Sequence, residues 1–265
     1  MPPPILSVLI AAYEAEKTIH RAIDSALRQP GTEVVVAPDD DPQKYAQLEM
    51  EYLGRVTVLS STYRAGPGRS RNRAFDASGG AFITMLDSDD YFGGNALDEA
   101  LTLAQRSPQK ISFLRTVYIY DESGVVCREL PLVQALSFEM FTHFHGSIHA
   151  LYPRALWQPY SEHRISQDVL FDAKMLLASN GAAPMTIAPH FKTIHPMSVT
   201  AGADQTEFNI EYAQLIATEP DPRIQQLFHE KLLVGKHYQL AQSEGLALPF
   251  HEFVKQKDQL RRSTM

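Results

Sequence analysis

Residues 68–92 read GRSRNRAFDASGGAFITMLDSDDYF. Three features follow one another along this stretch. A short element carrying Arg69, Arg71 and Arg73 predicts a helix from about Arg69 to Ala77, stopped by Gly79-Gly80. Ala81–Leu86 (AFITML) is a nearly continuous apolar run, the pattern of a strand buried on both faces. That strand leads straight into Asp87-Ser88-Asp89-Asp90. A helix feeding a buried strand that ends in carboxylates is the layout of a parallel α/β sheet, where ligands collect beyond the carboxyl ends of the strands.

The same unit repeats toward the N-terminus. Ile5–Ile10 (ILSVLI) predicts a strand, and Glu14–Gln29 a helix, with Ile19, Ala22, Ile23, Ala26 and Leu27 at helical spacing and Pro30-Gly31 as its stop. Glu33–Ala37 (EVVVA) predicts a second strand, closed by the polar turn 38–42. Residues 43–53 read as a helix with Tyr45, Leu48, Tyr52 and Leu53 inward, and Val56–Ser60 as a third strand. Strands alternating with helical crossovers imply right-handed parallel connections. The acidic turns at 38–42 and 87–90 then fall at carboxyl ends and point to one cleft.

Toward the C-terminus the pattern changes. After a helix at Leu97–Gln105, Ile111–Tyr120 and Val125–Leu130 alternate and are joined by Asp121-Glu122-Ser123-Gly124, a hairpin-like link. Ser147–Tyr152 suggests another strand. Gln167–Ser179 predicts a helix that Asn180-Gly181 ends. From Thr206 onward the chain reads as mostly helical, broken at 220–222 and 245–249.

Composition narrows the classes. The chain has 265 residues, 44% of them hydrophobic and 21% charged, which suits a globular protein with a sizeable core and excludes a disordered one. A net charge of −7 argues against a general nucleic-acid binder. Cys127 is the single cysteine, so no intramolecular disulfide and no Cys-based zinc site is available. Ile5–Ala12 is far shorter than the roughly 20 residues of a membrane span. The expected location is cytoplasmic, with at most peripheral contact at the inner face of a membrane.

Read as residues alone, several positions keep two meanings. Asp87 and Asp89 can share one hard divalent cation, or the turn is a solvated helix start capped by Asp89 or Asp90. Arg71 with Asn72 can present a guanidinium and an amide to a phosphate or base, or belong to a polar surface helix. Ser166-Gln167-Asp168 can offer a carboxylate as general base, or an acidic residue that suits a helix dipole. His195 is a phosphate or metal contact or a loop histidine, and Lys192 is a weaker phosphate candidate. His143, His145 and His149 have a spacing that can ligate zinc, but no carboxylate lies among them; an acceptor-facing wall and partly buried loop histidines are the alternatives. Trp157 reads as packing. Lys255, Lys257, Arg261 and Arg262 form a solvated charged face or touch an anionic membrane surface.

Three stretches in order carry a resemblance: Leu6–Lys17 (LSVLIAAYEAEK), Glu33–Asp40 (EVVVAPDD) and Gly68–Phe92. Together they resemble the donor half of a family 2, GT-A-fold glycosyltransferase, closely over about a third of the chain and more loosely to about residue 202. The resemblance implies a Rossmann-type, mostly parallel sheet flanked by helices, with residues 1–92 as nucleotide-sugar half, 93–202 as acceptor half and 203–265 as a helical C-terminal appendage. It implies inverting, Mg²⁺- or Mn²⁺-dependent transfer from a nucleotide-diphosphate sugar, UDP-sugar by default, to an acceptor hydroxyl in polysaccharide, glycolipid or glycoconjugate biosynthesis. Ala11, Tyr13, Glu14, Asp39, Arg71, Asp87 and Ser88 would hold the donor nucleotide. Asp89, with Asp87 and His195, would hold the metal, and Asp168 would be the base. The chain departs from the family where Pro38 replaces an Asp of the second turn, where Ala11-Ala12-Tyr13-Glu14 replaces Pro-x-Tyr-Asn, and where Gln167 replaces a Glu. A sugar-phosphate nucleotidyltransferase is a rival, but Ala11–Glu14 lacks the glycines it needs. A nucleotide-sugar-binding module without transfer activity is a second rival.

Overall fold

The computed structural model describes residues 3–61, 64–163, 165–195, 205–245 and 248–262, with side chains to residue 257 in the last segment. Among these described residues ten strands form one sheet: β1 (Leu6–Ala12), β2 (Thr32–Pro38), β3 (Val56–Val58), β4 (Phe82–Asp87), β5 (Tyr91–Phe92), β6 (Ser112–Tyr120), β7 (Val126–Glu129), β8 (Ala135–Ser137), β9 (Ala150–Pro153) and β10 (Ala182–Ile194). The order is β3-β2-β1-β4-β9-β6-β10-β5, with β7 on β6 and β8 on β10. The helices are α1 (Ile19–Leu27), α2 (Leu48–Glu51), α3 (Pro67–Ala77), α4 (Ala96–Arg106), α5 (Phe138–His143), α6 (Gln167–Ala178), α7 (Gln205–Thr218), α8 (Pro222–Ser243) and α9 (Phe250–Arg262). No helix among the described residues is long and apolar enough to cross a membrane.

The first four strands pair in parallel, as their apolar runs predict. Both faces of β1 are covered. Val8 and Ile10 point with Val34, Val36 and Leu86 toward α1 and α4, whereas Leu9 points with Val35, Ala37, Ile83 and Met85 toward α3, α6 and the C-terminal helices. This period-two split of a wholly apolar strand is what a doubly covered central position requires. The sheet is mixed beyond β4: β9 joins β4 and β6 antiparallel, and β6 and β10 run parallel. The β6–β7 hairpin is present as expected.

Three local readings need correction. The helix expected over 43–53 is a 3₁₀ turn at Pro42–Tyr45 and a single turn at Leu48–Glu51. Tyr45 and Leu48 are buried, but Leu53, expected inward, is 86% exposed, because its left-handed φ of 50° swings the side chain off the helical path. The first helix starts at Ile19 rather than Glu14, since Glu14 too has a left-handed φ, 49°, and cannot continue a helix. The 13-residue β10 goes unread in the sequence because Pro184 and Pro189 argue against a strand. The structure accommodates them with a register shift between Met185 and Pro189. There the Glu99 carboxylate accepts the Ile187 and Ala188 N–H groups, and Thr186 Oγ1 accepts from Arg115 N–H.

Candidate active site

The register of β1 with its neighbours places the acidic turns together. Ala12 lies beside Pro38, and Ala11 lies beside both Ala37 and Asp87. Residues 13–14, 39–40 and 87–89 therefore leave the sheet at one carboxyl edge. Asp39 uses its carboxylate internally, accepting the N–H groups of Ala65 (2.6 Å) and Gly66 (2.9 Å), so it sets the loop that starts α3. Asp40, which sequence reasoning passed over, accepts from Glu14 N–H (3.0 Å) and Lys44 Nζ (2.9 Å) and so braces the β1 exit. Tyr13 at that exit is 46% exposed, an aromatic face open to a ligand.

Asp87 is the electrostatic centre. Its Oδ1 meets Arg71 Nη2 at 2.5 Å and its Oδ2 meets Lys192 Nζ at 2.8 Å. Burial alone would raise its pKa, but the Lys192 and Arg71 cations hold the carboxyl well below the usual carboxylate range. Lys192, brought by β10, is raised in turn: burial opposes its charge, and Asp87 and Asp90 outweigh that. Arg71 reaches the site from the first half of α3, its guanidinium 5.3 Å from the Tyr160 ring centroid. Arg69 and Arg73 turn away, toward Glu162 and the carbonyls of Pro38 and Ser60. Asn72 pins the 160 loop through both the N–H and the carbonyl of Tyr160.

Asp89 and His195 form a second group, with Oδ2 and Nε2 2.9 Å apart. The hydrogen bond to Asp89 raises the His195 pKa against the opposing effect of burial. The backbone here is anchored, because the Asp89 carbonyl accepts from Arg21 Nη2 (2.7 Å) and Thr193 Oγ1 (2.8 Å). A carboxylate and an imidazole converging on one point suit a divalent cation, whereas both oxygens of Asp87 already face cations. The residues after His195 expected near the diphosphate, 196–200, lie outside the described residues, as does the boundary at 202/203.

Beneath this edge lies a buried cluster that the sequence did not reveal. Potential ligand atoms of Asp90, His149 and His190 lie within 4.8 Å of one another. Burial keeps both imidazoles neutral by lowering their pKa, and raises that of Asp90, with Asp89 and Asp87 adding to the rise. The Lys192 ammonium, 3.5 Å from Asp90 Oδ2, already supplies a positive charge here. Of the three spaced histidines only His149 joins this cluster; His143 ends α5 and His145 follows it. Trp157 packs, stacked on Phe75 at 4.1 Å. Lys255 and Lys257 sit near Glu252 and His237, and the side chains of Arg261 and Arg262 lie outside the described residues.

At the start of α6, Ser166 takes a left-handed φ of 60° and Asp168 occupies the first turn. Asp168 and Asp172 are one helical turn apart. Asp172 is fully buried, accepts the Ile148 N–H at 2.8 Å, and is pushed well up by burial and by Asp168. A cavity of about 300 Å³ joins the two sides, lined among others by Arg71, Asp87, Asp89, Lys192 and Asp168. Its far wall comes from the C-terminal helices, through Phe208, Tyr212, Lys231, Phe250 and His251. Ala11, Tyr13, Glu14, Asp39 and Ser88 lie outside its lining, on the edge just described. The cavity thus unites a cation-neutralised carboxylate, the Asp89 carboxylate, whose partner His195 lies outside the lining, and a separate carboxylate that is not ion-paired among the described residues.

A family model described as Glycosyl transferase family 2 matches residues 7–145. Over 163 residues the chain is 27% identical to an Escherichia coli UDP-Glc:alpha-D-GlcNAc-diphosphoundecaprenol beta-1,3-glucosyltransferase, WfgD, covering 59% of this chain and 63% of that protein. It is 36% identical over 104 residues to the succinoglycan biosynthesis protein ExoU of Rhizobium meliloti, covering 38% and 30% of the two chains. The chain thus spans less than two thirds of these relatives. Among solved structures, S. aureus TarS in complex with UDP-GlcNAc shares the fold with a TM-score of 0.64 at 18% identity, over 88% of this chain and 72% of that one. A mannosyltransferase from Pyrobaculum calidifontis, in complex with GDP-Man and Mn2+, superposes with a TM-score of 0.57 at 15% identity, over 97% and 80%.

Proposed function

The chain belongs to glycosyl transferase family 2, and from that premise we propose that it moves a sugar from a nucleotide-diphosphate donor, a UDP-sugar by default, to an acceptor hydroxyl with inversion at the anomeric carbon. The pathway class is the biosynthesis of a polysaccharide or related glycoconjugate, in which its relatives act. The carrying observation is that Asp87, Asp89 and Asp168 line one and the same cavity. Direct displacement needs a leaving-group site and a base within reach of one sugar, and a shared cavity supports that.

The donor lies along the carboxyl edge. Tyr13 offers its exposed ring to the base, and Ala11, Glu14 and Asp39 shape that end. Arg71 and Lys192 serve the ribose–phosphate region, with Asp87 setting their positions and Ser88 beside them. Asp89 and His195 are the fitting ligands for Mg²⁺ or Mn²⁺. When bound, such an ion neutralises charge that develops on the departing diphosphate. Asp168 accepts the acceptor proton as the new C–O bond forms and the bond to the diphosphate oxygen breaks. Residues 1–92 hold the donor and 93–202 the acceptor, with 203–265 closing the acceptor side.

The test pairs binding with turnover. UDP should raise the melting temperature more than GDP does, by mass action, and more with Mn²⁺ present; Asp89→Ala should lose the metal-dependent part. Asp168→Asn should keep UDP binding and lose about 100- to 10,000-fold in kcat. No shift with any nucleoside diphosphate would overturn the donor site, and full activity in Asp168→Asn would overturn the base.

A further inference from the structure

The acceptor-side wall of the cavity is built differently from the donor side. Its residues from 127 and 128, from 145 and 146 and from α8 and α9 include no carboxylate. The best-placed cation on it is Arg128, on β7. Its guanidinium rests against two neighbouring rings, 4.5 Å from the Tyr118 centroid and 4.7 Å from the Phe144 centroid, which are themselves 6.2 Å apart. One Nη2 hydrogen goes to the His145 carbonyl, which fixes the plane of the fork. Among the described residues Arg128 forms no ion pair with a carboxylate. Gly146 leaves room for this arrangement: a Cβ there would sit 2.9 Å from Arg128 Nη2 and far inside contact with the Tyr118 hydroxyl. Lys231, only 2% exposed, reaches the same wall from α8 and donates to the Phe144 carbonyl at 2.8 Å.

A guanidinium held in the wall of a cavity with no carboxylate paired to it among the described residues is costly to desolvate, and a neutral sugar would leave that cost standing. A guanidinium held against aromatic rings keeps its N–H fork for a ligand, and that fork matches phosphate oxygens. The donor diphosphate has its own cations at Arg71 and Lys192, so a second anionic group is required to match this wall. We propose that Arg128, supported by Lys231, forms an anion subsite for a phosphate or diphosphate carried by the acceptor. This rests on the transferase reading for the word acceptor; the anion site itself stands on its own geometry. The phosphate could sit on the anomeric carbon of an acceptor sugar or within a polyol phosphate.

Calorimetry on the UDP- and Mg²⁺-saturated full chain tests this, with the donor site filled. α-Glucose 1-phosphate, glycerol 3-phosphate and methyl α-glucoside are the probes. At least one phosphate probe should bind at least tenfold more tightly than methyl α-glucoside, and which one does so distinguishes the two sources. Arg128→Gln should erase that preference, while Arg128→Lys, which keeps the charge and loses the fork, should retain part of it. Equal binding of all three probes, or a preference that survives in Arg128→Gln, would overturn the subsite. Should Arg128→Gln not fold, the Arg128→Lys variant decides: an undiminished preference there overturns the role of the fork. UDP affinity, read in the first titration, reports separately on the donor-site reading, and it should be unchanged in both variants.

Discussion

Asp87 carries one negative charge between two buried cations, Arg71 and Lys192. Removing that charge while keeping the shape leaves Arg71 uncompensated and Lys192 with Asp90 alone, and breaking a buried pair in this way costs about 3–5 kcal/mol. Asp87→Asn should therefore lower the unfolding free energy read from a urea titration by that much and also weaken UDP binding, because Arg71 and Lys192 lose their positions; an unchanged unfolding free energy would show that the three groups do not act as a unit. At this scale the sequence was legible wherever a residue type sits in a short local motif. Arg71, Asp87, Asp89 and Asp168 all line the cavity, and His195 meets Asp89 from 106 residues away. Lys192 was named only weakly, and Asp40, Asp90, His149, His190 and Asp172 not for what they do. Nothing local marks them, because their partners come from other strands. A spacing of histidines says little when one of three goes into the core and the others do not.

At the scale of elements, α3 approaches the start of α6 closely at Gly68. A Cβ on Gly68 would lie 2.9 Å from the Ser161 carbonyl and press into the Gln167 side chain. Overpacking of this kind costs about 1–3 kcal/mol, and it falls next to the turn that presents Asp168. Gly68→Ala should lose stability in that range and about tenfold or more in kcat, since small displacements of the proposed base cost heavily. The double variant with Gln167→Ala should recover part of the stability; no recovery would place the strain at the Ser161 backbone alone. The elements most legible in sequence were β1, β2, β4 and α6, whose apolar periodicity is complete. The least legible was β10, whose prolines are tolerated because Glu99 and Thr186 satisfy the disrupted backbone. That compensation involves a helix 88 residues away, beyond the reach of any local pattern.

At the scale of the whole molecule, the C-terminal helices complete the cavity rather than decorate it. α9 is tied to β6 through Tyr120, whose hydroxyl donates to the Glu252 carboxylate and lies 3.1 Å from His251 Nε2. The Tyr120 hydrogen bond lowers the Glu252 pKa, against burial and with help from Lys255. A depressed carboxyl pKa stabilises above its unfolded value, roughly 4.3, and that contribution is lost as pH falls through the lower folded value. Hydrogen exchange across residues 250–257 should therefore accelerate, relative to the core strands, as pH drops below roughly 4. Glu252→Gln should flatten this acid dependence; an identical profile in the variant would exclude Glu252 as its source. By itself the sequence determined the parallel α/β start, the acidic carboxyl edge and the family, because each depends on apolar runs and motifs within about 25 residues. Only the tertiary structure decided that Asp87 is neutralised by Lys192, that Asp90 sits among buried histidines, and that α8 and α9 line the cavity. Those facts depend on which distant strands and helices pack together, and burial, not residue type, sets the charge each group carries there.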